Sequence, residues 1–278
     1  MQFLYETGKS LFCLAIQSIA SMVFILQNEN SIGLFVQIKL PYYVSFKPFL
    51  PCMIETVQLS KNYGTIHALQ NICLRFDEGK TAGIVGENGA GKTTLFRCIA
   101  GLESCDGKVL SDLIPLKNYL GFLSTEPYFF PKITGKEYIQ LLANARGKKL
   151  KNIERQNIFD LPLNQYASTF SSGMKKKLAL FAILLQGNQY FILDEPFNGV
   201  DIQSNLIITE IIRKLQELNK TVILSSHIFS TLSDTCDEIY LLHQGRLVQS
   251  VPKQEFDKLE EEMKAFSIGN KIDRLELV

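Results

Sequence analysis

The chain has 278 residues, with 29 Lys and Arg against 28 Asp and Glu, a net charge of +1 and no tryptophan. That length holds one α/β domain with a sizeable core and leaves room for a small subdomain, and the near-neutral charge excludes the strong basic field of a nucleic-acid binder. The six cysteines are scattered without a C-x-x-C pair, which excludes a zinc ribbon or disulfide frame and points to a reducing compartment.

Residues 1–52 differ from the rest. Their charges are Glu6, Lys9, Glu29, Lys39 and Lys47, and the run from Leu11 to Leu26 is mostly apolar. As a helix it spans about 24 Å, short of a hydrocarbon core of about 30 Å, and Gln17, Ser18 and Ser21 weaken it further. Three readings stand for this extension: a weak membrane- or partner-binding helix, a poorly ordered leader, or a stretch upstream of a true start at Met53. A signal peptide also fits by length.

From Met53 the composition is that of an ordinary domain. Strand-like pieces at Ile54–Leu59 and Ile72–Phe76 lead to the apolar run Thr81-Ala82-Gly83-Ile84-Val85, which reads as a buried strand. Directly after it comes Gly86-Glu87-Asn88-Gly89-Ala90-Gly91-Lys92-Thr93-Thr94, a match to G-x-x-x-x-G-K-[ST]. Glycines let successive N–H groups point at one anion, and the helix that follows adds the positive end of its dipole. Lys92 is placed for the β/γ-phosphates and the Thr93 hydroxyl for Mg²⁺. The segment Thr94–Ala100 has helical spacing and stops at Gly101.

A middle punctuated by Pro115, Pro127, Pro131 and Pro162 follows. Then Thr169-Phe170-Ser171-Ser172-Gly173-Met174 opens a basic helix running from Ser172 to Leu185, a turn that reads equally as a serine cap or as an anion site at a helix N-terminus. The lysines 175–177 take no role at this level. Tyr190-Phe191-Ile192-Leu193 is a buried-strand run ending in Asp194-Glu195. Two adjacent acids there are costly unless used; Asp194 is placed to bind Mg²⁺ and Glu195 to orient or deprotonate water. A helix over 202–217 precedes the strand 221–224, and His227 follows that strand at the sheet edge where ligands bind. His67 and His243 have no such setting. A strand pair at 238–242 and 246–250 turns at Gln244-Gly245, and an amphipathic, charged tail ends the chain. Strands alternating with helices predict a mostly parallel sheet covered on both faces.

Taken together and in this order, these residues resemble the ATP-binding cassette (ABC) ATPase family over about residues 54–250. Tyr63 in Lys61-Asn62-Tyr63-Gly64 is similar to the aromatic that stacks on adenine, and Gly86–Thr93 to the Walker A loop. Phe170–Met174 resembles the signature motif, Asp194-Glu195 the Walker B carboxylates, Pro196–Asp201 the D-loop, and His227 the switch histidine. The resemblance implies an α/β fold: a RecA-like P-loop NTPase core with an antiparallel β part and a small helical subdomain at about 125–185, in a domain spanning 53–278. It also implies ATP and Mg²⁺ as ligands. Ser171, Gly173 and Asp201 would then serve a nucleotide held by a second cassette, with two ATP molecules sandwiched between two subunits, homo- or heterodimeric.

Two departures matter. The signature is usually L-S-G-G-Q; Phe170, Ser172 and Met174 differ, while Ser171 and Gly173 are kept. The family's Q-loop glutamine would fall at Thr125, so either Glu126 substitutes or metal contact and coupling to a transport partner weaken. The resemblance implies an ATP-hydrolysing subunit, peripheral on the cytoplasmic face of the cell membrane, that powers a membrane permease on a separate chain; Phe130–Thr134 and the 225–249 region are most similar to exporter-type bacterial cassettes. The alternatives are a soluble ABC ATPase in cofactor assembly or another non-transport role, and a cassette that binds ATP without turnover. Only about a hundred residues separate Lys92 from Asp194, too few for the coiled-coil insert of chromosome-type members.

Overall fold

The structure, a computed structural model, describes the strands Met22–Ile25 and Phe35–Ile38 and residues 53–226 and 229–261. The chain divides into two units, Met1–Phe49 and Leu50–Val278. In the first, β1 (Met22–Ile25) and β2 (Phe35–Ile38) pair antiparallel, with Met22 opposite Ile38 and Ile25 opposite Phe35. The end of the apolar run is therefore strand, where one of the three readings of the extension made it a helix. Met-Val-Phe-Ile is β-branched and aromatic enough to favour a pleated backbone. The rest of 1–52, and the charged tail from 262 on, lie outside the described residues.

The second unit begins with a long hairpin, β3 (Met53–Tyr63) and β4 (Ile66–Asp77), paired antiparallel. After β5 (Thr81–Val85) and α1 (Lys92–Ile99), the strand β6 (Asp106–Ser111) returns to β3 and completes a three-stranded antiparallel sheet in the order β4-β3-β6. Next come β7 (Leu120–Leu123), α2 (Gly135–Asn144), α3 (Ser172–Leu184), β8 (Tyr190–Leu193), α4 (Ile202–Glu217) and β9 (Thr221–Ser225). The short α5 (Phe229–Ser233) leads to the hairpin β10 (Glu238–His243) and β11 (Arg246–Pro252). The second sheet has six strands in the order β11-β10-β5-β9-β8-β7, parallel except for the β10–β11 pair.

Every residue of β5, β8 and β9 is buried, as near-continuous apolar runs in a parallel sheet demand. The side-chain period of two sorts them onto two faces. Ile84, Tyr190, Ile192 and Ile223 join α1 and the antiparallel sheet in one core. Val85, Phe191, Leu193, Val222 and Leu224 join residues of α2, α3 and α4 in the other. Each fully buried side chain of this size contributes about 1.5–3 kcal/mol. Three helices start on side-chain caps: Thr134 and Glu137 form a reciprocal capping box on α2, Ser171 accepts from the Met174 N–H on α3, and Asp201 accepts from the Ser204 N–H on α4. The described cysteines are free thiols, and burial pushes Cys236 up to about 12.

Candidate active site

Register places the site. Leu123, Leu193, Leu224 and Gly83 lie side by side across β7, β8, β9 and β5. The residues just beyond them along each strand therefore emerge at one edge: Thr125, Asp194-Glu195, Ser225-Ser226 and the Gly86–Thr94 loop. This is the carboxyl edge of parallel strands, where open α/β sheets bind ligands. His227 follows at the same edge in sequence, but it lies outside the described residues.

The loop wraps the start of α1. Gly91 is the N-cap at φ +107°, and a Cβ there would stand 2.6 Å from the Ala68 carbonyl oxygen. No side-chain cap closes α1, and its first turn carries no acid, so the positive helix end faces the loop. Lys92 is buried; its Nζ donates to the carbonyl oxygens of Gly86 at 2.8 Å and Glu87 at 3.2 Å. It stands 3.9 Å from the Glu195 carboxylate. Ala90 is buried, and its N–H donates to the Glu87 carbonyl.

Asp194 is 0% exposed, and hydroxyl groups surround its carboxylate. Thr93 and Thr125 both donate to Oδ2 at 2.7 Å, and Ser225 donates to Oδ1 at 2.7 Å. A buried carboxylate survives only when hydrogen-bonded in this way. The same Ser225 Oγ accepts from the Glu195 N–H at 3.0 Å. Glu195 has φ +51°, the left-handed region that costs a non-glycine residue about 1–2 kcal/mol.

A cleft of about 1040 Å³ opens on these groups, lined by Tyr63, Gly86, Glu87, Asn88, Gly89, Gly91, Lys92, Thr93, Thr94, Thr125, Glu195 and Asn198, with residues of β4 and Gln244. Tyr63, 43% exposed at the mouth, has Lys61 Nζ 5.0 Å from its ring centroid. At the position where a glutamine had been expected, Thr125 supplies the hydroxyl that reaches both the cleft and Asp194; Glu126 is not part of the lining.

Ser171, Gly173 and Asp201 do not line this cleft. They lie where the start of α3 meets the stretch 199–204. A Cβ on Gly173 would stand 2.6 Å from the Gly199 carbonyl oxygen, so α3 begins in near backbone contact with the turn after Glu195. Lys177 Nζ donates to Asp201 at 3.1 Å and Ser204 at 3.0 Å. The Ser204 N–H, its hydroxyl and Lys177 together hold the Asp201 carboxyl well below the usual carboxylate range. Phe170, a departure from the usual signature leucine, fills the core beside α3.

Sequence reasoning missed Lys176. Its residue is 5% exposed, and its Nζ donates to the carbonyl oxygens of Glu195 at 2.8 Å and Asn198 at 2.7 Å. Burial pushes its pKa below the ordinary lysine value, and the carboxylates of Glu195, Asp194 and Glu126 oppose that fall. In the sequence it is the middle of three lysines; only helical phase from the Ser171 cap singles it out. The capping box of α2 was signalled by Thr134-Gly135-Lys136-Glu137, and β7 by its four-residue apolar run.

A RecA-like nucleotide-binding core joined to an antiparallel sheet, with a phosphate loop, a buried aspartate and a following glutamate at one edge, is the architecture of an ABC ATPase. The ABC transporter family profile matches residues 69–198. The bacitracin transport ATP-binding protein BcrA of Enterococcus faecalis is 32% identical over 231 residues, which cover 78% of this chain and 75% of that protein. The chain belongs to the ABC transporter ATP-binding proteins, the subunits that bind and hydrolyse ATP to power a transporter's permease. Among solved structures, an ATP-binding subunit of an ABC transporter superposes with a TM-score of 0.69 at 26% identity, covering 76% of this chain and 99% of that one. A dimeric ATP-binding cassette in a post-hydrolysis state bound to ADP and Pi superposes with a TM-score of 0.66 at 20% identity, covering 72% and 98%, and shares the fold.

Proposed function

We propose that this chain holds ATP with Mg²⁺ in the cleft between the phosphate loop and Glu195 and works as one of two cassettes on a separate membrane permease of export type. The observation that carries the reading is the meeting of Lys92, Thr93, Asp194 and Glu195 at one sheet edge. Lys92 is poised for the β- and γ-phosphates, and the open N-terminus of α1 supplies N–H donors to the same anion. The Thr93 hydroxyl and the Asp194 carboxylate are hard oxygen donors 2.7 Å apart. Among the described residues no group of three His, Cys, Asp or Glu could hold a metal, which suits an ion carried by one carboxylate, one hydroxyl and the substrate's phosphates. Bound there, Mg²⁺ would neutralise charge developing on the phosphate oxygens.

Glu195 orients and deprotonates the attacking water, and Tyr63 stacks on the adenine. Ser171 and Gly173 contact the partner subunit's γ-phosphate, which accounts for their absence from this chain's own cleft. His227 completes the γ-phosphate contacts. The domain is taken as 53–278, with the helical part at about 125–185. Among the described residues no helix is long and apolar enough to cross a membrane, in keeping with a subunit that sits on the cytoplasmic face of a separate permease. The export direction rests on the likeness to a bacitracin transport protein and to exporter-type cassettes.

Glu195→Gln tests the core of this reading. Turnover should fall by about 10²–10⁴-fold, the range for loss of a general base, and light scattering with ATP should show a persistent dimer. A variant that turns over like the parent and stays monomeric removes Glu195 from the mechanism. Permease recovered with the chain from detergent-solubilised membranes checks the partner.

A further inference from the structure

Glu195 sits in a backbone conformation that its own side chain does not favour, at φ +51°. Two groups hold its peptide units. On the N–H side the Ser225 hydroxyl accepts, itself tied to Asp194. On the C=O side Lys176 donates, and the same ammonium donates to Asn198, so one buried cation bridges both ends of the turn 195–198. The Asn198 N–H closes that turn onto the Glu195 oxygen at 3.2 Å. Lys176 makes no ion pair within 4.0 Å among the described residues, and its ammonium donates to two backbone oxygens. A buried ammonium spent on two carbonyls is costly unless the geometry it sets is needed.

The cation also comes from a particular place. Lys176 lies in the first turns of α3, the helix capped by Ser171 and packed through Gly173 against Gly199. Lys177, its neighbour, grips Asp201 and Ser204 at the end of the same segment. The start of α3 and the stretch 195–204 are thus fastened at three successive points.

We propose that Lys176 is a positioning residue for turnover: from the helix that carries Ser171 and Gly173 it holds the Glu195 peptide in its left-handed conformation and so aims the Glu195 carboxylate into the cleft. This rests on the reading of Glu195 given above.

Lys176→Met keeps the stem and removes the donor; Lys176→Gln retains a shorter donor. In the purified full chain, Lys176→Met should lower kcat by about tenfold or more while KM and the ADP dissociation constant stay within about twofold, the pattern of an interaction that acts on the reacting geometry. Lys176→Gln should recover part of the loss. In a Glu195→Gln background, Lys176→Met should change the residual single-turnover rate by less than about twofold, because residues acting as a unit are not additive. Parental kcat in Lys176→Met beside a dead Glu195→Gln overturns this proposal alone. An equal loss in both backgrounds does so too, since it marks a merely structural role. A Glu195→Gln chain with parental turnover overturns the reading of Glu195 and this one with it. Should Lys176→Met fail to fold, Lys176→Gln carries the same comparison: unchanged kcat, or a loss shared equally with KM, sinks the idea.

Discussion

Two helices of this chain begin at turns of small residues, and they meet their terminal N–H groups differently. At α1 the turn is Gly89-Ala90-Gly91; Gly91 offers no side chain, no cap bond forms, and no acid lies in the first turn. At α3 the turn is Ser171-Ser172-Gly173; the Ser171 hydroxyl accepts from the Met174 N–H and the chain supplies its own cap. The first terminus opens on a cleft that also holds Lys92, Thr93 and Glu195, whereas the second is fastened to the stretch 195–204. A helix end left open by the sequence is an anion site prepared within one chain. A helix end that is self-capped and bolted to a neighbouring loop is a stiff element, suited to be presented to another molecule.

The comparison breaks first at Lys92. Lys92→Ala should lower kcat/KM by about 10²–10³-fold or more, the range for removing one donor to developing oxyanion charge; steady-state phosphate release reads it, and parental activity would mean that the α1 terminus is not the phosphate site. Gly173→Ala comes next. Its Cβ would meet the Gly199 oxygen at 2.6 Å, so stability should drop by about 1–3 kcal/mol, as overpacking does. ADP affinity, measured by titration calorimetry, should hold, because Gly173 is not in the cleft. A large fall in ADP affinity would show that the two helix ends are not separate.

Ser171→Ala should cost about 0.5–2 kcal/mol in chemical denaturation through the lost cap, with ATP turnover reduced and ADP binding unchanged. An intact denaturation midpoint would mean that the hydroxyl does not cap α3 in solution. The smallest effect is on acid stability. Hydrogen bonds from Thr134 hold the Glu137 carboxyl, and those from Ser204 and Lys177 the Asp201 carboxyl, below the ordinary carboxylate range. With the folded pKa depressed, their stabilisation is complete above the unfolded value near ~4 and is lost as pH falls through the folded value. The melting temperature should therefore decline below about pH 4, and less steeply in Asp201→Asn and Glu137→Gln. Unchanged slopes in both variants would remove these caps from the acid response, to which α1, with no acid in its first turn, contributes nothing of this kind.

Much of the site was legible because its chemistry is local. Gly86–Thr94 is continuous, and spacing alone fixes which backbone N–H groups converge. The run Tyr190–Leu193 announced a buried strand, and two acids at its end marked the candidate site. The boundaries of α3, α4, β8, β9 and the β10–β11 hairpin follow from caps, period and the Gln244-Gly245 turn. The β6 strand before Pro115, and β7 and α2 in the Pro-punctuated middle, were not read from the sequence, since short apolar runs do not separate strand from helix. Met22–Ile25, helical in one of the three readings of the extension, is strand for the same reason.

What the sequence determined by itself is the set of groups proposed to bind and cleave a nucleotide, because a phosphate loop and a strand-end acid pair carry their geometry in adjacent residues. What tertiary structure alone decided is how those groups are held. Thr93 lies at the start of α1, Thr125 just beyond β7 and Ser225 at the end of β9, and only the packing of these elements brings their hydroxyls to one buried carboxylate, Asp194. Lys176 is one of three lysines in sequence, and only the docking of α3 against 195–198 turns its ammonium inward onto the Glu195 peptide. Local spacing specifies chemistry; the partners of a buried charge are set by packing, since they lie far away along the chain.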